Sequence, residues 1–339
     1  YTRNKEKAMT PNQETSHIDV PDGYATEYLQ HELGLKLSLG SKDTYESRLR
    51  GYVLFLHDNE ISVIDATFNN VLEFVEECVR EGNRQSTIEG KVSVVREMYK
   101  YIRLRTEVGD DLSLEPLRLN EIEVSRYRTP EPIKREALSR EELRRLFDAF
   151  DSYRNRLIAV VAVETGLRNS DLRELQIADI DFDNLEIHIP DPKGSIPYDV
   201  PVSENLAYEL EFWLRHHRGG YASSDESPFL FPSQHGVKLE TNSSLNRVIC
   251  DAADRAGLQK VIGESQVTKK GEGVDTRQWN RVTPHTLRHS FITLLADAGV
   301  DISYRQLVAN HRSQDTIKNY THCNSDRFSP IREKFRPPR

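Results

Sequence analysis

The chain has 339 residues, with 46 Lys and Arg against 54 Asp and Glu, for a formal net charge of −8. That length suits two domains better than one core, and the acidity is an objection to DNA binding that only a local basic groove answers, because attraction to phosphate depends on nearby charge rather than on the sum. Three scattered cysteines, Cys78, Cys250 and Cys323, argue against a disulfide framework and fit a reducing cytoplasm, and no uninterrupted apolar run reaches bilayer length.

Residues 1–20 are polar, lack apolar periodicity and read as a flexible tail. Residues 21–115 carry a helical pattern. Over 44–56, Tyr45, Leu49, Tyr52, Phe55 and Leu56 form one apolar stripe. Ser86 and Glu89 have capping-box spacing, followed by Ile88, Val92, Val95, Tyr99 and Ile102 on one face. Arg96, Lys100 and Arg103 repeat on a neighbouring face, which is either solvated or applied to phosphates. Acidic residues gather elsewhere, at 73–77, 107–111 and 179–183. Residues 116–138, with Pro116, Pro130 and Pro132, read as an extended linker.

A second domain opens at Ser139, which has Glu142 three residues on and a core stripe of Leu143, Leu146, Phe147 and Phe150 behind it. Residues 157–163 form an apolar helix ending near Gly166, so Arg168 sits just past a buried helix end, with Asp171 three residues on to orient it. Residues 185–189 and 198–202 alternate like strands, and Lys193 lies at the turn-rich tip between them. Residues 262–281 are polar and Gly-rich and read as a loop. Thr283-Pro284 starts a helix that places His285 and Arg288 on one face and Leu287, Phe291, Leu294 and Leu295 on another; His289 falls to packing or support. His311 and Tyr320 follow. Phe328, Ile331 and Phe335 lie in a basic tail that either packs on its own domain or docks on a neighbouring protomer.

Two arginines, a lysine, two histidines and a tyrosine are the groups needed to break a phosphodiester: guanidinium forks neutralise the phosphate, cationic or imidazole groups move protons, and a phenol oxygen attacks phosphorus. Their order and spacing, with His285-x-x-Arg288, His311 twenty-six residues after His285 and Tyr320 nine residues after His311, resemble the tyrosine recombinase or phage integrase family, including Xer-type recombinases. The resemblance implies a mainly α fold with a small β-sheet, in which a helical SAM-like core-binding domain precedes an α+β catalytic domain over 139–339. It implies catalytic roles for Arg168, Lys193, His285, Arg288, His311 and Tyr320, supporting roles for Asp171 and His289, and DNA contacts from Arg96, Lys100 and Arg103.

It further implies double-stranded DNA as partner, a homotetramer on that DNA, an accessory protein as a further partner, no membrane and no cofactor. The setting it implies is a cytoplasmic, nucleoid-associated enzyme, with a virus or other mobile element among the sources. Two departures stand out: Tyr198 and Asp199 where many relatives carry a basic residue before Val-Pro, and Asn310 where they carry glycine. Competing readings are relaxation of DNA by a type IB topoisomerase-like enzyme, a non-catalytic DNA-binding regulator, and a metal hydrolase built on His285, His289, His311 and His322. The last lacks the Glu of His-Glu-x-x-His.

Overall fold

The buried apolar residues sort into two separate cores, one running from Val20 to Val124 and the other from Leu138 to Phe335. The chain divides between them at Pro132 and Ile133. The structure, a computed structural model, describes residues 20–33, 35–37, 39–192, 196–269, 273–309 and 328–338.

The first unit is built from helices α1 (Gly23–Glu32), α2 (Leu39–Asp58), α3 (Phe68–Arg80) and α4 (Gln85–Arg105). The α2 stripe buries Leu49, Tyr52, Phe55 and Leu56, and α4 answers with Ile88, Val92, Val95, Tyr99 and Ile102. Burying two phenols is costly unless both are hydrogen-bonded. Here Tyr52 Oη lies 2.9 Å from Tyr99 Oη, and Tyr99 donates to the carbonyl of Val63 at 3.0 Å.

Two sequence expectations change in this unit. The helix α4 begins at Gln85, with Arg84 as its N-cap and no side-chain cap, so Ser86 does not cap it. Asn83 is occupied in closing α3, donating from both its backbone and its side chain to Cys78 O, and the short connection lets the next helix start one turn position early. The linker expected over 116–138 is folded in its first part. Pro116–Glu121 and Val124–Arg126 are 3-10 turns, and Leu119 and Val124 are buried in the first core. Apolar side chains at 119 and 124 anchor what the prolines alone suggest is extended.

The second unit opens with α5 (Arg140–Asp148), whose capping box is complete: Ser139 Oγ accepts from Glu142 N at 3.1 Å, and Glu142 Oε2 accepts from Ser139 N at 2.9 Å. The next helix, α6 (Tyr153–Thr165), is buried on all sides from Leu157 to Thr165, which is why it reads as an apolar run rather than an amphipathic stripe. A short helix, α7 (Asn169–Glu174), leads to an antiparallel sheet of β1 (Ile180–Asp181), β2 (Glu186–Ile189) and β3 (Tyr198–Pro201), in which Ile189 faces Tyr198 and Ile187 faces Val200.

Helices α8 (Glu204–His216) and α9 (Asn242–Arg255) follow. The expected loop over 262–281 is instead an antiparallel hairpin, β4 (Val261–Lys269) paired with β5 (Gly273–Asn280). Its ladder needs only backbone groups, and it is tied by polar cross-strand contacts such as Trp279 Nε1 to Ser265 Oγ at 3.0 Å. None of its described side chains, at 261–265 and 276–280, is buried, and the sequence of the two strands shows no apolar alternation, so the pattern that reveals buried strands is missing.

Helix α10 (Pro284–Asp297) packs Leu287, Phe291, Leu294 and Leu295 against the core, and α11 (Ile302–Val308) follows it. In this single chain the C-terminal helix Ser329–Lys334 and its flanks follow the self-packing reading of the tail: Phe328, Ile331 and Phe335 are buried in the core of their own unit, with the Phe335 ring edge-on to Phe291 at 5.5 Å.

Candidate active site

The end of α6 fixes the first side of the site. Gly166 takes a left-handed conformation with φ +65°. A Cβ there would stand 2.3 Å from Cδ1 of Phe291, so glycine is needed both for the backbone angle and for the close approach of α10. The turn ends in Arg168, the N-cap of α7.

Asp171 sits in the first turn of α7, buried to 5 % exposure, and collects donors. Its Oδ2 lies 3.4 Å from the Arg168 backbone N, 3.8 Å from Arg168 Nη1 and 3.3 Å from the Tyr198 hydroxyl; its Oδ1 accepts from Ser170 Oγ at 3.0 Å. Arg168 is thus held by a carboxylate that is itself held, which limits the rotamers of a long side chain.

Arg288 enters from α10, where Thr283 is the N-cap and Pro284 the first helical residue. The guanidinium is buried to 7 % exposure and donates Nη1 to the carbonyl of Gly166 and Nη2 to the carbonyl of Ala309. Tyr198 and Asp171 are near enough for each to act on its charge. Five N–H donors on a rigid fork allow these bonds and leave donors for a ligand. Burial, then the nearby charge of Arg168, lowers the pKa of Arg288. Two guanidiniums held together against one carboxylate leave a net positive pocket, an arrangement that a phosphate relieves.

His285 lies one turn before Arg288 on α10, and His289 one turn after His285; both are exposed. Desolvation by its surroundings, followed by the charges of Arg135, Arg288 and His289, lowers the pKa of His285 below its ordinary value. The imidazole is therefore neutral near pH 7 and able to accept a proton or donate one from its N–H.

The structure brings Arg168, Asp171 and Arg288 together and sets His285 on the same helix as Arg288. Lys193, His311 and Tyr320 lie outside the described residues. Ala309, two residues before His311, is tied directly to Arg288. In the first unit, Arg96 Nη1 donates to Asn120 Oδ1 at 2.7 Å, Lys100 to Glu97 Oε1 at 2.9 Å, and Arg103 Nη1 to the carbonyl of Gly109 at 3.1 Å. Among the described residues no group of three or more His, Cys, Asp or Glu side chains is placed to hold a metal ion, and no helix is long and apolar enough to cross a membrane.

Sequence reasoning missed two residues here. Tyr198 stood out only as a departure from a basic residue, yet its phenol donates to Asp171 and lies within reach of the Arg288 charge; burial, then Asp171, pushes its pKa up, so it stays protonated. The signal was available, since period-two alternation puts Tyr198 on the same face as the fully buried Val200. Asp199, on the opposite face, pairs with His188 Nδ1 across the hairpin at 2.5 Å. Arg135 had no sequence signal, because only the tertiary fold brings it near His285.

Comparison with known proteins fits this arrangement. The model of the phage integrase family matches residues 136–327, and that of the phage integrase N-terminal SAM-like domain matches residues 26–106. A tyrosine recombinase XerA from Pyrococcus furiosus is 27% identical over 85% of this chain and 86% of its own length; a tyrosine recombinase XerD from Oceanobacillus iheyensis is 25% identical over 93% and 98%. Among solved structures, XerH site-specific recombinase bound to its difH substrate aligns with a TM-score of 0.59 at 22% identity, covering 92% of this chain and 89% of that one. A lambda integrase dimer bound to a core site aligns with a TM-score of 0.61 at 15% identity, covering 90% and 95%. Those two likenesses speak to the fold, which is mostly helical with small sheets in both the expectation and the structure. Because the first of the family models spans more than half of the chain, from just before α5 past the position of Tyr320, the chain belongs to the phage integrase family.

Proposed function

We propose that the protein is a site-specific DNA recombinase that cuts and rejoins strands through a 3′-phosphotyrosine. The observation that carries this reading is the pocket in which Arg168 and Arg288 converge, braced by Asp171 and Tyr198, on the helix that also bears His285. Arginine forks so fixed suit the non-bridging oxygens of a phosphodiester, and donors already in place stabilise the charge that develops there without reorganising. The relatives named as tyrosine recombinases support the same assignment, and no comparison favours a relaxation-only enzyme or a non-catalytic regulator.

In this scheme the Tyr320 hydroxyl oxygen forms a bond to phosphorus while the bond from phosphorus to the 5′-oxygen breaks. The phenol proton passes to a neighbouring base, for which neutral His285 is suited, and Lys193 gives a proton to the departing 5′-oxygen. A 5′-hydroxyl from a partner strand then attacks the phosphotyrosine, and the phenol leaves. One phosphodiester is exchanged for another, so neither ATP nor a metal is required. His311 completes the phosphate contacts, Arg96, Lys100 and Arg103 contribute DNA contacts from the helical domain, and four protomers assemble on two duplexes, with an accessory protein as a further partner.

The test is a suicide-substrate assay on DNA flanking the gene, run in EDTA. Wild-type protein is expected to accumulate a covalent adduct at a single mapped nick. Tyr320→Phe should bind the same DNA and form none; adducts that persist in that variant overturn the assignment.

A further inference from the structure

The β4–β5 hairpin carries a group that the mechanism above does not use. The Trp279 ring has the guanidinium carbon of Arg277 4.9 Å from its centroid and that of Arg135 at 5.5 Å. Arg277 precedes Trp279 by two positions on β5 and so shares its face of the strand. Arg135 comes from the segment before α5. The indole is fixed by its bond to Ser265, and a cation over a Trp face gains from the attraction of the ring's negative face. That gain sets two like charges side by side: burial, then Arg277, lowers the pKa of Arg135. Yet among the described residues neither guanidinium is in an ion pair or a hydrogen bond, although the chain has more carboxylates than cations. Elsewhere in the same unit arginines of comparable exposure do find acidic or carbonyl partners, as Arg156 finds Glu209 and Arg255 finds Asp151.

Two guanidiniums on one aromatic platform, without an ion pair or hydrogen bond among the described residues, are suited to an anion that comes from outside the chain. The position says which anion. Three residues after Arg135, Leu138 N donates to Ser290 Oγ of α10 at 2.8 Å, and the charge of Arg135 reaches His285 on that helix, so the group lies beside the element that carries Arg288. A duplex with one phosphate in the pocket of Arg168 and Arg288 carries further phosphates along each strand, one per 3.4 Å of axis.

We propose that Arg135, Arg277 and Trp279 form a second phosphate site, which holds a backbone phosphate of the bound duplex beside the scissile one. The proposal rests on the reading of this protein as a DNA-cleaving enzyme, and it makes the β4–β5 hairpin a DNA-contacting element.

The experiment measures binding of the full-length protein to a random-sequence duplex across a salt series, with the suicide-substrate assay run on the same preparations. Each phosphate contact contributes about 0.9 to the slope of log affinity against log salt. Arg135 and Arg277 share one phosphate, so the double variant Arg135→Gln/Arg277→Gln should flatten the slope by about 0.9 and each single variant by part of that, while Arg277→Lys, which keeps the charge, should retain it. Arg277 is exposed on a hairpin outside the core, so loss of binding in the lysine variant as well would show a damaged hairpin rather than a lost phosphate and would count against the site. A slope unchanged in the double variant, with covalent adducts still forming, overturns the second site and leaves the recombinase reading intact. A flattened slope with no adduct from the wild type supports the site and overturns the cleavage reading. A wild type that binds no duplex overturns both.

Discussion

The cations of the pocket and the cations of α4 face opposite fates. Arg288 is buried and bonded to two backbone carbonyls, and Arg168 leans on a buried carboxylate that has further donors. On α4, Arg96, Lys100 and Arg103 are satisfied by surface neighbours, chiefly Glu97, Asn120 and the carbonyl of Gly109. The pocket spends its partners on geometry and retains net positive charge. The α4 face spends its partners on neutralisation. Counting basic residues cannot separate these two cases, because the difference lies in which groups surround each charge and how deeply.

Replacing Arg288 by lysine tests the pocket side most severely. An ammonium on a flexible stem cannot reproduce the planar fork that spans Gly166 O and Ala309 O and still offers a donor to a ligand. The expected loss is about 10²–10³ in the rate of covalent adduct formation, read in single-turnover assays, with duplex affinity changed far less. Adducts formed at the wild-type rate would break the contrast, since Arg288 would then be no more than a structural charge.

A smaller effect is expected from Tyr198→Phe. The ring stays and only the hydroxyl between Asp171 and Arg288 goes. A lost hydrogen bond to a charged group costs about 1.5–3 kcal/mol at full strength, and the 3.3 Å separation from Asp171 places this one at the weak end. The expected drop is about tenfold in cleavage rate, with substrate affinity preserved. An equal fall in affinity would show that Tyr198 contacts DNA directly instead of positioning its neighbours.

The titration of His285 sharpens the same comparison. Desolvation by its surroundings, then Arg135, Arg288 and His289, lowers its pKa from an ordinary value of about 6.5. Above that value the ring is neutral in folded and unfolded chains alike and pH has no purchase on it. Below it the unfolded chain takes up a proton that the folded site refuses, so stability is lost as pH falls through the window down to the lowered pKa. NMR of isotope-labelled histidine should find the His285 midpoint below about 6.5 and moving upward in Arg135→Gln. A midpoint at or above the ordinary value would mean that the pocket's positive charge does not reach the imidazole.

How much of this was legible depends on whether a feature is local. The α10 start was readable, because Thr283-Pro284 is a cap signature and the i, i+3 spacing of His285 and Arg288 follows from helical geometry alone. The end of α6 was readable from an apolar run closed by Gly166. The β4–β5 hairpin was not, since the sequence of its two strands shows no apolar alternation. The start of α4 was misread because a good capping sequence at Ser86 lost to the tighter closure of α3 by Asn83. Arg135 and the placement of Tyr198 depend on contacts between residues distant along the chain, which no window of sequence contains. The ordering of the six reactive residue types was legible only through resemblance, and the catalytic role of each of the six is a proposal.

The smallest expected effect concerns α4, where its direction matters more than its size. If Arg96, Lys100 and Arg103 each met a phosphate, replacing all three by glutamine would flatten the salt dependence of duplex binding by about 2.7. Glu97 answers both Arg96 and Lys100, and its own pKa is lowered by those two neighbours against the opposing effect of burial, so part of their charge is already committed. Exposed pairs of this kind are worth only about 0–1 kcal/mol, so a phosphate can displace them at little cost. The triple variant is therefore expected to flatten the slope by about 1. Glu97→Gln should do the reverse and tighten duplex binding a few-fold, because it releases two cations without adding a contact. If Glu97→Gln leaves affinity and slope unchanged, the face is solvated and plays no part in holding DNA, and the contrast with the pocket becomes absolute.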